Sequence, residues 1–271
     1  MNIAATPQNT NVTKGLTTTG LKIIAVICMF IDHLGASIVE DIVIKNYIGL
    51  EENWVLILRN VYLVMRMIGR ISFPIYCFFI VEGYFYTHDL KKYLQRLAIL
   101  AVISEVPFDM AFSRKIFAPD YNNVFITLAI GLLTIAGIDK ANSYIMNKNK
   151  GYSSHIEAII GSTLIAATGC AAAYILKTDY SYCGIITIII MYYNRKSASF
   201  NPVFSMIEGV IWLGISAGLV ELAALIDALF IHFYNGQKGR NIKTFFYGFY
   251  PVHLAILGII NMLILKHFGA L

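Results

Sequence analysis

The run LKIIAVICMFIDHLGASIVE, residues 21–40, carries the decision about this fold. About 20 mainly apolar residues is what a helix needs to cross a hydrocarbon core roughly 30 Å thick. Asp32 and His33 interrupt it about ten residues in, hence about 15 Å deep at 1.5 Å per residue. A carboxylate at that depth costs roughly 3 kcal/mol on insertion scales. Ionisable groups inside a span face the bundle interior and usually mark function. Neighbouring helix residues point about 100° apart, so Asp32 and His33 each need a partner from another helix.

Further apolar runs follow at about 71–87, 94–112, 122–138, 155–176, 180–193, 202–218, 219–234 and 245–266. The expected fold class is therefore all-α, a polytopic transmembrane helix bundle of about nine spans (eight to ten). Composition agrees. The chain is 58% hydrophobic and 14% charged, against about 25% charged in soluble domains. Residues 1–20 are Thr/Asn-rich and read as a flexible cytoplasmic tail, leaving 21–271 as a single transmembrane domain. The net charge of +5 sits in the gaps between apolar runs and never interleaves with aromatics. That excludes a nucleic-acid surface and fits orientation in a membrane.

Residues 54–70, WVLILRNVYLVMRMIGR, are ambiguous because Arg59, Arg66 and Arg70 punctuate them. An interfacial or partly re-entrant helix avoids burying those charges in lipid. With 54–70 not crossing and the N-terminus cytoplasmic, the inner loops hold Lys14, Lys22, Lys91, Lys92, Lys140, Lys148, Lys150, Arg195, Lys196, Lys238, Arg240 and Lys243. The outer loops keep Lys45, Arg114, Lys115, Lys177 and Lys266. The excess of basic residues on one side orients the chain.

Several intramembrane groups are candidates for chemistry. His253 follows Pro251 in FYPVHLAIL; the proline removes a backbone N–H and frees the carbonyl of Tyr247. Glu105 and Asp109, in EVPFD, share one helix face at i,i+4 spacing. An arginine such as Arg70 or Arg96 is the least costly partner for them. Arg70 opens the segment RISFP, where Pro74 suits a first helical turn; it fits either an interfacial anchor or a clamp. Glu82-Gly83 reads as a carboxylate held against a neighbouring helix. Lys91, Lys92 and Arg96 fit either phosphate binding or topology. Asn122, Asn123 and Thr127 read as helix-joining residues, and Glu208, Glu221, Asp227 and His232 carry no ranking signal. Cys28, Cys77, Cys170 and Cys183 lack metal or disulfide spacing. No zinc, P-loop or nucleophile-elbow motif occurs, so no metal is expected.

Four blocks in order, LKIIAVICMFIDHLG, MRMIGRISFPIYCFFIVEGYFYTHDLKKYLQRL, ISEVPFDMAF and KTFFYGFYPVHLAIL, resemble the TraX family of bacterial membrane proteins, over about residues 20–266. The family is named for a conjugative protein that acetylates the N-terminus of F-type pilin. It is also similar to the larger superfamily of multi-span membrane acyltransferases, whose usual arginine-pair motif this chain lacks in obvious form. The resemblance implies an acetyltransferase of the bacterial inner membrane, with acetyl-CoA as donor substrate and a pilin-like peptide or envelope glycan as acceptor. It makes His33 the leading catalytic residue. Asp32, His253, Glu105, Asp109 and Arg70 would then orient it, bind the acceptor or stabilise the oxyanion. Lys91, Lys92 and Arg96, with Glu82 nearby, would receive the CoA. Midplane acids and histidines beside helix breaks are also what a proton-coupled secondary transporter uses, the alternative reading.

Overall fold

The computed structural model describes residues 15–44, 49–148 and 151–268. These form α1 (Thr18–Leu34), continued by a wider π-helical stretch (Gly35–Ile44), α2 (Glu52–Gly69), α3 (Ser72–Tyr86), α4 (Leu90–Phe112) and α5 (Val124–Lys148). After them come α6 (Tyr152–Ile175), α7 (Ser181–Lys196), α8 (Pro202–Ser216), a 3-10 segment (Leu219–Ile226), α9 (Asp227–His232) and α10 (Lys243–His267). The expected helical bundle is what forms. Five stretches are long and apolar enough to span a bilayer: Thr18–Ile42, Glu52–Tyr86, Val124–Lys148, Ser153–Ile175 and Lys243–His267.

Side-chain contacts sort the helix ends into two layers. At the near end, Thr18 meets Tyr234, Glu82 meets Arg195, and Tyr84, Tyr192 and Lys196 all reach Asp139. At the far end, Arg114 pairs with Asp41, Asn261 donates to Asp41 and to the Ser37 carbonyl, and Asn122 meets the 176–178 turn. Between these layers run α1, α2 with α3, α4, α5, α6, α7, α8, residues 219–232 and α10. The inner-loop basic residues assigned from sequence, where described, fall at the near end.

Two expectations are corrected. The tail boundary moves: residues 1–14 lie outside the described residues, but 15–20 are built into the bundle. Leu16 pairs with the backbone of Phe233 and Asn235, and Thr17 caps α1 by accepting the Gly20 N–H. Residues 54–70 are not a separate interfacial element either. α2 runs antiparallel to the second half of α1, with Tyr62 donating to Glu40 and Arg66 to Asp32. α3 continues back along the first half, where Ser72 donates to the Ala25 carbonyl. The two helices make one return path, broken at Arg70–Ile71. Arg66 and Arg70 turn inward to acids, which removes the cost that argued against placing them here.

Elsewhere local signals set the helix ends, and Pro74 acts as read. Pro74 lies in the first turn of α3, and Asn201 caps α8 ahead of Pro202. Asp89 caps α4 by accepting the Lys92 N–H, which holds its carboxyl below the usual range. Leu21, Ile75, Leu132, Ile188, Met206 and Leu213 are fully buried in the core. Leu56, Val64, Ile159 and Leu164 are exposed on outer faces, as lipid contact requires.

Gly258 lets α10 lie against α4. A Cβ there would sit 2.9 Å from Met110 Cβ and 3.0 Å from the Ala111 backbone nitrogen. Backbone cannot yield as a side-chain tip does, so G258A is expected to destabilise the fold by about 1–3 kcal/mol. Gly248 on the same helix has open space around it, so G248A serves as the control. Thermal unfolding in detergent checks this; equal melting points for the two variants would contradict it.

Candidate functional site

The middle of the Thr18–Ile44 run presents Asp32 and His33 to different neighbours, as their angular separation requires. Asp32 turns toward the break between α2 and α3. Its Oδ2 accepts from Arg66 Nη1 at 2.7 Å and its Oδ1 from Arg70 Nη2 at 3.1 Å. Arg66 and Arg70 are one helical turn apart, so both guanidinium groups converge on one carboxylate. Arg70 reaches further, donating through Nη1 to Glu221 Oε1 at 2.8 Å and to the Tyr180 hydroxyl at 3.4 Å. Gly69 is what admits this packing, since a Cβ there would overlap the Asp32 side chain. Two cations and two carboxylates thus close a charge-balanced network across α1, α2 and the 219–226 segment.

His33 turns toward α10. Its Nδ1 lies 2.7 Å from His253 Nε2, and His253 Nδ1 lies 2.7 Å from the Phe249 carbonyl oxygen. A carbonyl only accepts, so His253 Nδ1 carries the proton. In neutral His253, Nε2 is then the acceptor and His33 Nδ1 the donor. Neutral His33 is left with its lone pair on Nε2. The backbone of α10 therefore fixes the tautomer of a histidine on α1 through one relay. The two imidazoles are nearly parallel, and Phe112 and Tyr250 meet the His33 ring edge-on at 5.3 and 5.8 Å.

Both groups line a cavity of ≈ 290 Å³, with Tyr76, Tyr180 and Tyr250 among its walls. Its far-end rim includes Glu40, Tyr121 and Asp179. Tyr121 donates to Asp179 at 2.8 Å. The lining holds three carboxylates, Asp32, Glu40 and Asp179, against two guanidinium groups.

Several expected roles change. Glu105 and Asp109 hold neither His33 nor an arginine. Glu105 accepts from the Asn123 side chain, and Asp109 accepts the Ala118 N–H at 2.7 Å. They secure the 113–123 loop, because their shared helix face points to that loop rather than to α1. Arg96 lies over the Tyr93 ring, 5.8 Å from its centroid. Arg70 is a carboxylate clamp and no interfacial anchor. Glu82 binds Arg195 Nε at 2.6 Å, an ion pair between α3 and α7. Lys91, Lys92 and Arg96 are exposed at the near end, with Lys92 paired to Asp89. Glu208 accepts from Asn194, and Asn123 accepts the Phe125 N–H as the helix-joining reading expects.

The sequence reading left Glu221 unranked and missed Tyr180 and Asp179, which lie beyond any local motif. For Arg66 the signal was present. Its four-residue spacing from Arg70 marks a shared face, which a membrane helix can afford only with an acid opposite. No group of acids, cysteines and histidines that could hold a metal occurs among the described residues.

The family model described as "TraX protein" matches residues 17–261. A curated relative, the probable fimbrial assembly protein FimC, serogroup H1, of Dichelobacter nodosus, is 29% identical over 263 residues. The match covers 88% of this chain and 92% of the relative. No solved structure matches.

Proposed function

The chain belongs to the TraX family, and from that premise we propose that it is a membrane-embedded acetyltransferase, passing an acetyl group from acetyl-CoA to an amine on a pilin-like peptide. The single observation that carries the reading is the Phe249–His253–His33 relay, which leaves a base on His33 Nε2 at a polar cavity. The relative's name, a probable fimbrial assembly protein, supports a pilin-type acceptor.

A thioester carbonyl is attacked by a neutral amine, and an N-terminal amine has a pKa near 8. It enters as the ammonium past the Glu40 and Asp179 carboxylates and loses one proton to solvent. As its nitrogen bonds to the carbonyl carbon, His33 Nε2 takes a second proton. The C–S bond then breaks, and the thiolate recovers that proton as CoA thiol. Atoms balance: amine and thioester become amide and thiol. The Tyr76 hydroxyl, which makes no hydrogen bond among the described residues, is a donor available to the oxyanion. Asp32 and Arg70 act as positioning residues, since both are committed to the ion network.

This reading puts the near end in the cytoplasm, where acetyl-CoA is made, with the chain in the bacterial inner membrane. A cysteine at Lys238, in the near-end loop, is then expected to resist an impermeant maleimide in intact spheroplasts. A cysteine at Lys115, in the far-end loop, is expected to react. The reverse pattern would invert the orientation.

The activity itself is tested with purified chain in liposomes, labelled acetyl-CoA and a peptide with a free N-terminus. Acetyl-peptide and CoA thiol are expected in equal amounts. Substrate flux across the liposome without acetyl-CoA, and no acetyl-peptide, would overturn the proposal in favour of a proton-coupled carrier.

A further inference from the structure

A second cavity, of ≈ 160 Å³, occupies the near half of the bundle. Its walls are largely apolar, with Val26, Phe79, Leu97, Leu100 and Phe246 among them, and Lys22 is the charged group in the lining. Lys22 Nζ stands 5.0 Å from the centre of the Phe79 ring and 5.9 Å from that of Phe246. It has no carboxylate partner among the described residues. The other cations drawn into the bundle do: Arg66 and Arg70 on Asp32, Arg114 on Asp41, Arg195 on Glu82, Lys196 on Asp139. Lys243, one turn before Phe246 on α10, adds a second positive charge on the same side. A partly buried cation held by aromatic faces beside an apolar chamber calls for an anion with an apolar extension.

The near cavity shares Met29, Tyr76, Val124 and Tyr250 with the cavity that holds His33. These four side chains are the wall between the two spaces. Lys22 and His33 are eleven residues apart on α1, about 16 Å along the axis. A molecule with its anionic head at Lys22 and its body in the apolar chamber therefore ends at that wall, next to His33.

We infer that the near cavity seats the pantetheine arm of the donor, that Lys22 binds the phosphate at the head of that arm, and that the thioester meets His33 across the Met29–Tyr76–Val124–Tyr250 wall. The inference rests on the acetyltransferase reading and adds to it the place of the donor. It moves phosphate recognition from the exposed Lys91–Arg96 group to Lys22.

Thermal stabilisation of the purified full chain by CoA tests it, because a ligand that binds the folded state raises its melting point. The wild type is expected to be stabilised. K22M, which keeps the stem over Phe79, is expected to bind CoA about tenfold more weakly, while K22R and the exposed-site control K140M bind as the wild type. Pantetheine, which lacks the phosphate, is expected to stabilise wild type and K22M alike. L100W, which fills the chamber without touching the charge, is expected to lose CoA binding and covers the case in which K22M does not fold. Equal CoA binding by wild type, K22M and L100W would overturn the chamber and leave the donor intact. Loss in K92M but not in K22M would return the phosphate to the Lys91–Arg96 group. A wild type stabilised by phosphatidylglycerol and not by CoA would assign the cavity to a lipid headgroup. That result would remove the donor reading together with this one.

Discussion

Replacing His33 with alanine is expected to slow acetyl transfer by about 10²- to 10⁴-fold, the usual contribution of a general base, while the protein still folds. His33 meets Phe112 and Tyr250 only through ring edges and takes no part in the Asp32–Arg66–Arg70–Glu221 network. Its removal therefore breaks the relay without unpairing a charge. His253 acts through His33, so its variants separate positioning from packing. H253L leaves His33 Nδ1–H without an acceptor and is expected to cost nearly as much activity as H33A. H253Q offers a carbonyl oxygen to the same N–H and is expected to recover part of the rate. The measurement is single-turnover transfer by variants with matched melting points. Wild-type rates in H33A would remove His33 from the chemistry, and equal rates in H253L and H253Q would remove the tautomer relay.

The largest stability effect is expected at Arg70. R70M leaves Glu221 with no cation and Asp32 with Arg66 alone. Removing one partner from a buried ion pair typically costs about 3–5 kcal/mol, because the remaining charge stays desolvated and unpaired. The buried Glu221 carboxyl would bear most of that, since its second oxygen already lacks a hydrogen-bond partner. Adding E221L to R70M removes the stranded charge and is expected to restore part of the loss, a coupling that a double-mutant cycle reads directly. Melting points in detergent decide it. An R70M variant as stable as wild type, or additive effects of the two changes, would contradict the network.

The helical bundle and the inward placement of Asp32, His33 and His253 were legible in the sequence because lipid imposes a severe rule. A charge within an apolar run must have a reason to be there. The partners were not legible. Asp32 finds Arg66 and Arg70 only because α2 folds back along α1, and Glu221 joins from the other end of the chain. His33 was expected to lean on Glu105 or Asp109, since an acid is the common support for a catalytic imidazole. It leans on His253 instead, because the face of α4 that carries those acids is turned to the 113–123 loop. The segment 54–70 is ambiguous in the sequence for a related reason. Its arginines count as charges facing lipid in the sequence, whereas the four-residue spacing of Arg66 and Arg70 gives those two a common inward face. Lys22 read only as an orientation signal, and its place between Phe79 and Phe246 depends on α3 and α10 meeting beside α1.

The most direct measurement is mass spectrometry of pilin and other envelope peptides from cells carrying the wild-type chain, the H33A variant or neither. An amine that gains the mass of one acetyl group only with the wild type is the predicted result. Identical acetylation in all three strains, with the wild-type protein present and folded in the membrane, would contradict an acetyltransferase built on His33.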